Sequence, residues 1–159
     1  MSATCAEQLA EKQLTVAFIE SATAGYLAHR FSLSPFSGDI LLGGIVCYDG
    51  NIKTKTLGID QALIDEFTAE SMPVTEALAK NATALFDADI IVACTGLLTK
   101  GGSETPEKPV GTFFYSIYYQ HQCHNFQSLC RGHPKKKLKS INSRIAKSLI
   151  EVIDSANKP

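Results

Sequence analysis

The chain carries almost no net charge: 15 basic residues stand against 16 acidic ones in 159, leaving a formal −1. That balance argues against nucleic acid or a membrane surface as partner, since both select a basic excess. No apolar stretch approaches the ~20 residues that a membrane-spanning helix needs. The first fifteen residues contain glutamates and lack the apolar centre of a secretory leader. Cysteine is present without a framework. Cys5, Cys47, Cys94, Cys123 and Cys130 are odd in number and form no C-x-x-C pair. Reduced thiols in a cytoplasmic protein are therefore expected. His29, His121, His124 and His133 share no metal-ligand spacing with one another or with the cysteines, so no metal site is expected. Repeats, low-complexity tracts and linkers are also missing, and residues 1–159 are expected to form one domain.

What is there is an ordinary globular composition, 45% apolar and 19% charged. Residues 3–12 read as an amphipathic helix and 14–19 as a short buried strand. Helical spacing follows over 23–32, then a Pro/Ser/Gly loop. A second apolar run from Ile40 to Tyr48 contains Gly43-Gly44, which suggests a bulge or a close backbone approach. Short helical spacing is seen at Leu63, Ile64 and Phe67, and Thr75 is expected to cap a helix that runs on through Leu85. Residues 88–94 form a continuous apolar run, as in a strand covered on both faces. Residues 110–120 and 123–131 read as a hairpin turning near His121-Gln122, and 135–154 as a last helix with a basic start. The order predicts a three-layer α/β/α fold with a mixed, mainly parallel sheet that includes an antiparallel hairpin. Alternation among Phe113, Phe114, Tyr115, Tyr118 and Tyr119 suggests that some aromatics face away from the core, which makes a homo-oligomer plausible.

Three positions stand out as chemistry. Ser21 follows the first strand in Glu20-Ser21-Ala22-Thr23-Ala24-Gly25, and Tyr48 and Lys53 follow the second. Open α/β sheets bind ligands at this carboxyl edge. Ser21 is either a nucleophile, its oxyanion met by turn N–H groups and a helix dipole, or simply a cap at a strand-to-helix turn. Lys53 is either a desolvated base for Ser21 or a solvated lysine on a polar helix. Tyr48 either relays a proton to Lys53 or rests at the surface. Thr23 and Gly25 belong to the same turn and would face the substrate with it. The loop from Thr95 to Pro109 is longer than a routine connection. Its N–H and hydroxyl donors suit an anionic group, with Lys100 and Lys108 adding charge, but it lacks the P-loop spacing. The lysines at 135–137 and 139 could touch phosphate or form a solvated face.

The segments AFIESATAGYLAHRF (17–31), GGIVCYDGNIKTKTLGI (43–59), PVTEALAKNA (73–82) and DIIVACTG…GGSETPEKPVGT (89–112) resemble the CinA C-terminal domain family. That family includes stand-alone nicotinamide-nucleotide amidases. The resemblance implies a Ser–Lys amidase that hydrolyses the carboxamide of nicotinamide mononucleotide, or of a related small amide, with no metal or organic cofactor. Ser21 would be the nucleophile, Lys53 its base and Tyr48 an assistant. Thr95, Gly96, Gly101, Gly102 and Thr112 would line the substrate pocket. Three departures from the family pattern stand beside the match. E-S-C-T-G-G becomes Glu20-Ser21-Ala22-Thr23-Ala24-Gly25, T-G-I-A-G-P becomes Thr95-Gly96-Leu97-Leu98-Thr99-Lys100, and G-D-R with a following arginine becomes Gly132-His133-Pro134 and lysines. An inactive relative that binds a nucleotide or a protein is the alternative they leave open.

Overall fold

Three apolar segments, Val16–Glu20 (β1), Leu41–Val46 (β2) and Ile90–Gly96 (β3), lie side by side as parallel strands with β1 in the middle. Two antiparallel strands, Thr112–Tyr119 (β4) and Gln122–Leu129 (β5), extend the sheet beyond β3 in the order β2-β1-β3-β4-β5. This computed structural model describes residues 3–156. The sheet is mixed, with two parallel and two antiparallel neighbour pairs.

Helices cover both faces and complete a three-layer α/β arrangement. Ala3–Glu11 (α1), Tyr26–Ser32 (α2) and the long Pro134–Ala156 (α7) pack on one face. Phe18 of β1 and Phe113, Tyr115 and Ile117 of β4 meet Leu27, Phe31, Ile141, Ile145 and Leu149 there. A short turn of helix, Ser37–Ile40 (α3), leads into β2. Gly50–Leu57 (α4), Gln61–Phe67 (α5) and Met72–Asn81 (α6) occupy the other side, where Ile19, Ile91 and Ala93 pack on Leu57, Val74 and Leu78. Five residues of β1 and seven of β3 are all buried, as an apolar run sandwiched between helices must be.

Gly44 explains why β2 can lie so close to β1. A Cβ built there would stand 2.4 Å from the Phe18 carbonyl oxygen, so only glycine fits. The register also shifts between Val16 and Ala17, which is the irregularity that the paired glycines suggest.

Three local expectations change. Ser71, not Thr75, caps α6 by accepting from the Val74 N–H, and Thr75 sits within the helix. The preceding residues Thr68–Glu70 form a non-helical connection, which sets the start one turn earlier. The hairpin turns at Gln120 and His121, both at positive φ of 49° and 63°. The aromatics of β4 do not face away from the protein. The strand is internal to the sheet and α6 covers its second face, so Phe113, Phe114, Tyr115 and Tyr119 are buried and Tyr118 is half-buried. All five cysteines are free thiols. Among the described residues no helix is long and apolar enough to cross a membrane.

Candidate active site

The three parallel strands end together. The Ser21 N–H donates to the Cys94 carbonyl and the Cys47 N–H to the Glu20 carbonyl, so the chain exits of β1, β2 and β3 are fixed relative to one another. Because β1 has a parallel neighbour on each side, its following turn lies at the switch point of the sheet. Ser21 occupies that place.

Lys53 reaches Ser21 from α4. Asp49 caps the helix by accepting from the Asn51 N–H at 2.8 Å, and one turn later the lysine side chain runs inward. It is 1% exposed, and Nζ lies 3.0 Å from Ser21 Oγ. Its other acceptors are the carbonyls of Cys47 at 2.7 Å and Tyr48 at 3.3 Å. No carboxylate pairs with it at salt-bridge distance among the described residues. Desolvation therefore dominates and holds the ammonium below the ordinary lysine range, against smaller opposing contributions from Cys47, Glu70 and Asp49. Cys47 is no rival nucleophile, because burial pushes its thiol up. Tyr48 meets Lys53 through its backbone carbonyl, while its side chain is 66% exposed and lines the pocket mouth.

The turn after Ser21 is organised by Glu20, which is buried. Its carboxylate accepts from the N–H groups of Gly25 (3.0 Å), Leu27 (3.0 Å) and Ala28 (2.8 Å), the orphan donors at the start of α2. Those donors are thus committed internally and do not face a ligand. The N–H groups of Ala22 and Thr23 have no protein acceptor among the described residues, and Ala22 lines the pocket beside Ser21. Thr23 is buried with its hydroxyl oxygen unpartnered. Ala24 has φ of +46°, so its Cβ is tolerated at a cost, but it is exposed and lies outside the pocket. Ala24→Gly is expected to leave activity unchanged and to raise stability by up to about 1 kcal/mol, the αL relief less the entropy of glycine. Thermal unfolding of the two proteins checks it.

A pocket of about 240 Å³ opens over Ser21. It is lined by Ser21, Ala22, Tyr48, Glu70 and residues 96–102. Gly96, Gly101 and Gly102 therefore border it together with Ser21. Gly25, Thr23, Thr95, Lys108 and Thr112 do not. Gly25 turns its N–H to Glu20, Thr95 is buried against the Thr75 hydroxyl at 2.8 Å, and Thr112 caps back onto the Pro109 carbonyl at 2.7 Å. Lys108 is a clasp. Its Nζ donates to Thr68 Oγ1 (2.7 Å), Ser103 Oγ (2.8 Å) and the Glu70 carbonyl (2.9 Å), tying the 95–109 loop to the α5–α6 connection. Ser103 Oγ in turn donates to Glu70 Oε2 at 2.5 Å.

One residue at the pocket carried no sequence signal of its own, and one of the lysines at the start of α7 takes a place that neither of its readings gave it. Glu70 lies in a polar connection, and only the fold turns it into a pocket wall. Lys137, buried within the basic start of α7, donates to the Leu98 carbonyl at 2.9 Å and so supports the loop from behind. Gly96 is required where it stands, since a Cβ there would come within 2.4 Å of the Phe113 ring. Among the described residues no cluster of His, Cys, Asp or Glu could hold a metal ion.

Comparison with known proteins decides the family. The profile of the CinA C-terminal domain matches residues 1–154. The chain belongs to that family. CinA-like proteins from Mycobacterium avium and Mycolicibacterium vanbaalenii are 46% identical over 102 residues and 45% identical over 112. Those matches cover 64% and 70% of this chain but 23% and 26% of the relatives, so the chain spans about a quarter of their length. Among solved structures, competence damage-inducible protein A from Klebsiella pneumoniae superposes with a TM-score of 0.89 at 18% identity, covering 96% of each chain. A CinA superfamily protein from Escherichia coli gives 0.83 at 24% identity, over 93% of this chain and 85% of that one. These structures share the CinA fold with the present chain.

Proposed function

We propose that this CinA-family domain is an amidohydrolase of the nicotinamide-nucleotide amidase type, with Ser21 as nucleophile and Lys53 as base. The observation that carries the reading is the 3.0 Å contact, beneath a pocket, between Ser21 Oγ and a buried Lys53 that has no carboxylate partner among the described residues. A neutral Lys53 takes the Ser21 proton as the alkoxide attacks the amide carbon. The tetrahedral oxyanion forms beside the Ala22 N–H, the donor that follows the nucleophile and is free to turn to it. Collapse breaks the C–N bond, and the Lys53 ammonium returns the proton to the leaving nitrogen, releasing ammonia. Water, deprotonated by the same lysine, then cleaves the acyl-serine ester to the carboxylic acid. Burial of Lys53 serves every step by favouring the neutral amine over the ammonium.

Ammonia release from nicotinamide mononucleotide and related pyridine carboxamides tests the reading. Since the base must be neutral, kcat/KM should rise with pH through one ionisation below the ordinary lysine value of 10.5. The Glu70 charge opposes the depression of Lys53, so Glu70→Gln should move that limb to lower pH. No release from any carboxamide by the folded protein would favour a binding module instead.

A further inference from the structure

The loop that borders the pocket carries its own anion. Glu104 folds back so that Oε1 accepts from the Gly101 N–H and Oε2 from the Gly102 N–H, both at 2.8 Å. Gly101 is at φ +100°, which turns these two consecutive donors toward one point, as in loops that cradle phosphate. Here the point is filled by a carboxylate from three residues along the same loop. The N–H groups of Gly101, Glu104 itself and Gly102 hold that carboxyl below its ordinary range, with Lys100 adding to the effect, so it remains an anion wherever the enzyme would work. Lys100 is the one basic side chain that lines the pocket among the described residues, and Glu104 lies close enough to offset it.

Glu70 adds a second negative charge. It lines the pocket, and the Ser103 hydroxyl, itself held by Lys108, fixes one of its oxygens. Lys137 turns its ammonium to the Leu98 carbonyl and does not line the pocket. The pocket lining therefore presents one carboxylate, Glu70, and one ammonium, Lys100, while Glu104, which is not part of the lining, occupies the N–H groups of two lining glycines. A phosphate dianion in the pocket would meet repulsion from Glu70 and would find the N–H groups of Gly101 and Gly102 already taken by Glu104. A pyridinium ring, cationic and flat, meets attraction from Glu70.

We propose that Glu104 and Glu70 make this a pocket for an amide without a phosphate, a cationic carboxamide nucleoside in preference to the nucleotide. This rests on the amidase reading for the identity of the reacting group, but the selectivity is a matter of binding. It is tested by calorimetric titration of the Ser21→Ala protein, which cannot turn over, with nicotinamide riboside and with nicotinamide mononucleotide. The riboside should bind more tightly by on the order of tenfold, the size of effect expected from a single charge-assisted hydrogen bond. Added to that background, Glu104→Ala or Glu104→Gln should tighten the mononucleotide by a similar factor and leave the riboside within about twofold. Glu70→Gln should weaken the riboside. Inorganic phosphate should compete with the mononucleotide only once Glu104 is replaced. Equal affinity for both ligands, failure to bind either, or an unchanged ratio in both Glu104 variants would overturn the proposal. If the riboside binds selectively while the wild-type protein releases no ammonia from it, the amidase reading falls and the selectivity stands.

Discussion

Lys53→Met should remove ammonia release while leaving the protein as stable as before, or more so. Methionine follows the path of the lysine stem and is unbranched, so it fills the same channel between α4 and the strand ends. It carries no charge to desolvate. In the wild type an amine in that channel is either protonated against its environment or neutral, and both states cost stability relative to an apolar group. The loss falls chiefly on the Cys47 carbonyl, about 1 kcal/mol, with the longer contacts to Ser21 Oγ and the Tyr48 carbonyl lost beside it. Catalysis should fall by ~10³-fold or more, since the substitution removes the base and the proton carrier together. Ser21→Ala should fall at least as far, and the double variant no further, because the two groups act as one unit. Rate measurements beside denaturant unfolding check this. A Lys53→Met protein that stays active, or one that unfolds easily, would mean that the lysine is a structural tie.

Glu20→Ala should be the most damaging single change in the turn. It strips three N–H donors at the start of α2 of their acceptor, that of Leu27 buried and those of Gly25 and Ala28 part-buried. Buried donors left unpaired cost about 1–3 kcal/mol each, with partial relief from relaxation, so a loss of about 3–5 kcal/mol is expected. For a chain of this length that corresponds to roughly 10 °C in Tm. Activity should drop as well, because Ser21 is positioned by the residue before it. Glu20→Gln should sit between, its amide oxygen keeping part of the acceptor role and its NH₂ facing an N–H. Thermal unfolding of the two variants with kcat/KM on one carboxamide separates the effects. A Glu20→Ala protein within about 1 kcal/mol of wild type would show that α2 finds other acceptors.

How far residues alone reached can be argued from a few of them. Ser21 and Lys53 are 32 positions apart in sequence, yet each follows an apolar run, and strands that end at the same sheet edge bring their following residues together. That inference needs only strand ends. The burial of Lys53 was not legible, because Asn51, Thr54 and Lys55 around it are polar and the helix reads as solvated. Only the packing of α4 against the strand exits decides it. Glu20 could be seen as a letter in the turn but not as the cap of α2, since the N–H groups that donate to it lie five to eight residues on. Thr75 and Ser71 are equally good caps by type, and the choice rests on the connection that precedes them. The β4 aromatics misled for a related reason: alternation shows that a strand has two faces, not that one is bare. Glu70 entered the site by position alone.

The clasp at Lys108 also bears on motion. The 95–109 loop is pinned at its base, where the Gly111 N–H donates to the Leu97 carbonyl and the Leu97 N–H to the Thr112 carbonyl, and again at Lys108. Between those anchors the N–H groups of residues 98–100 have no protein acceptor among the described residues, while those of Gly101 and Gly102 donate to Glu104. Amide exchange in this loop should therefore divide sharply, fast across the short free span and slow on either side of it.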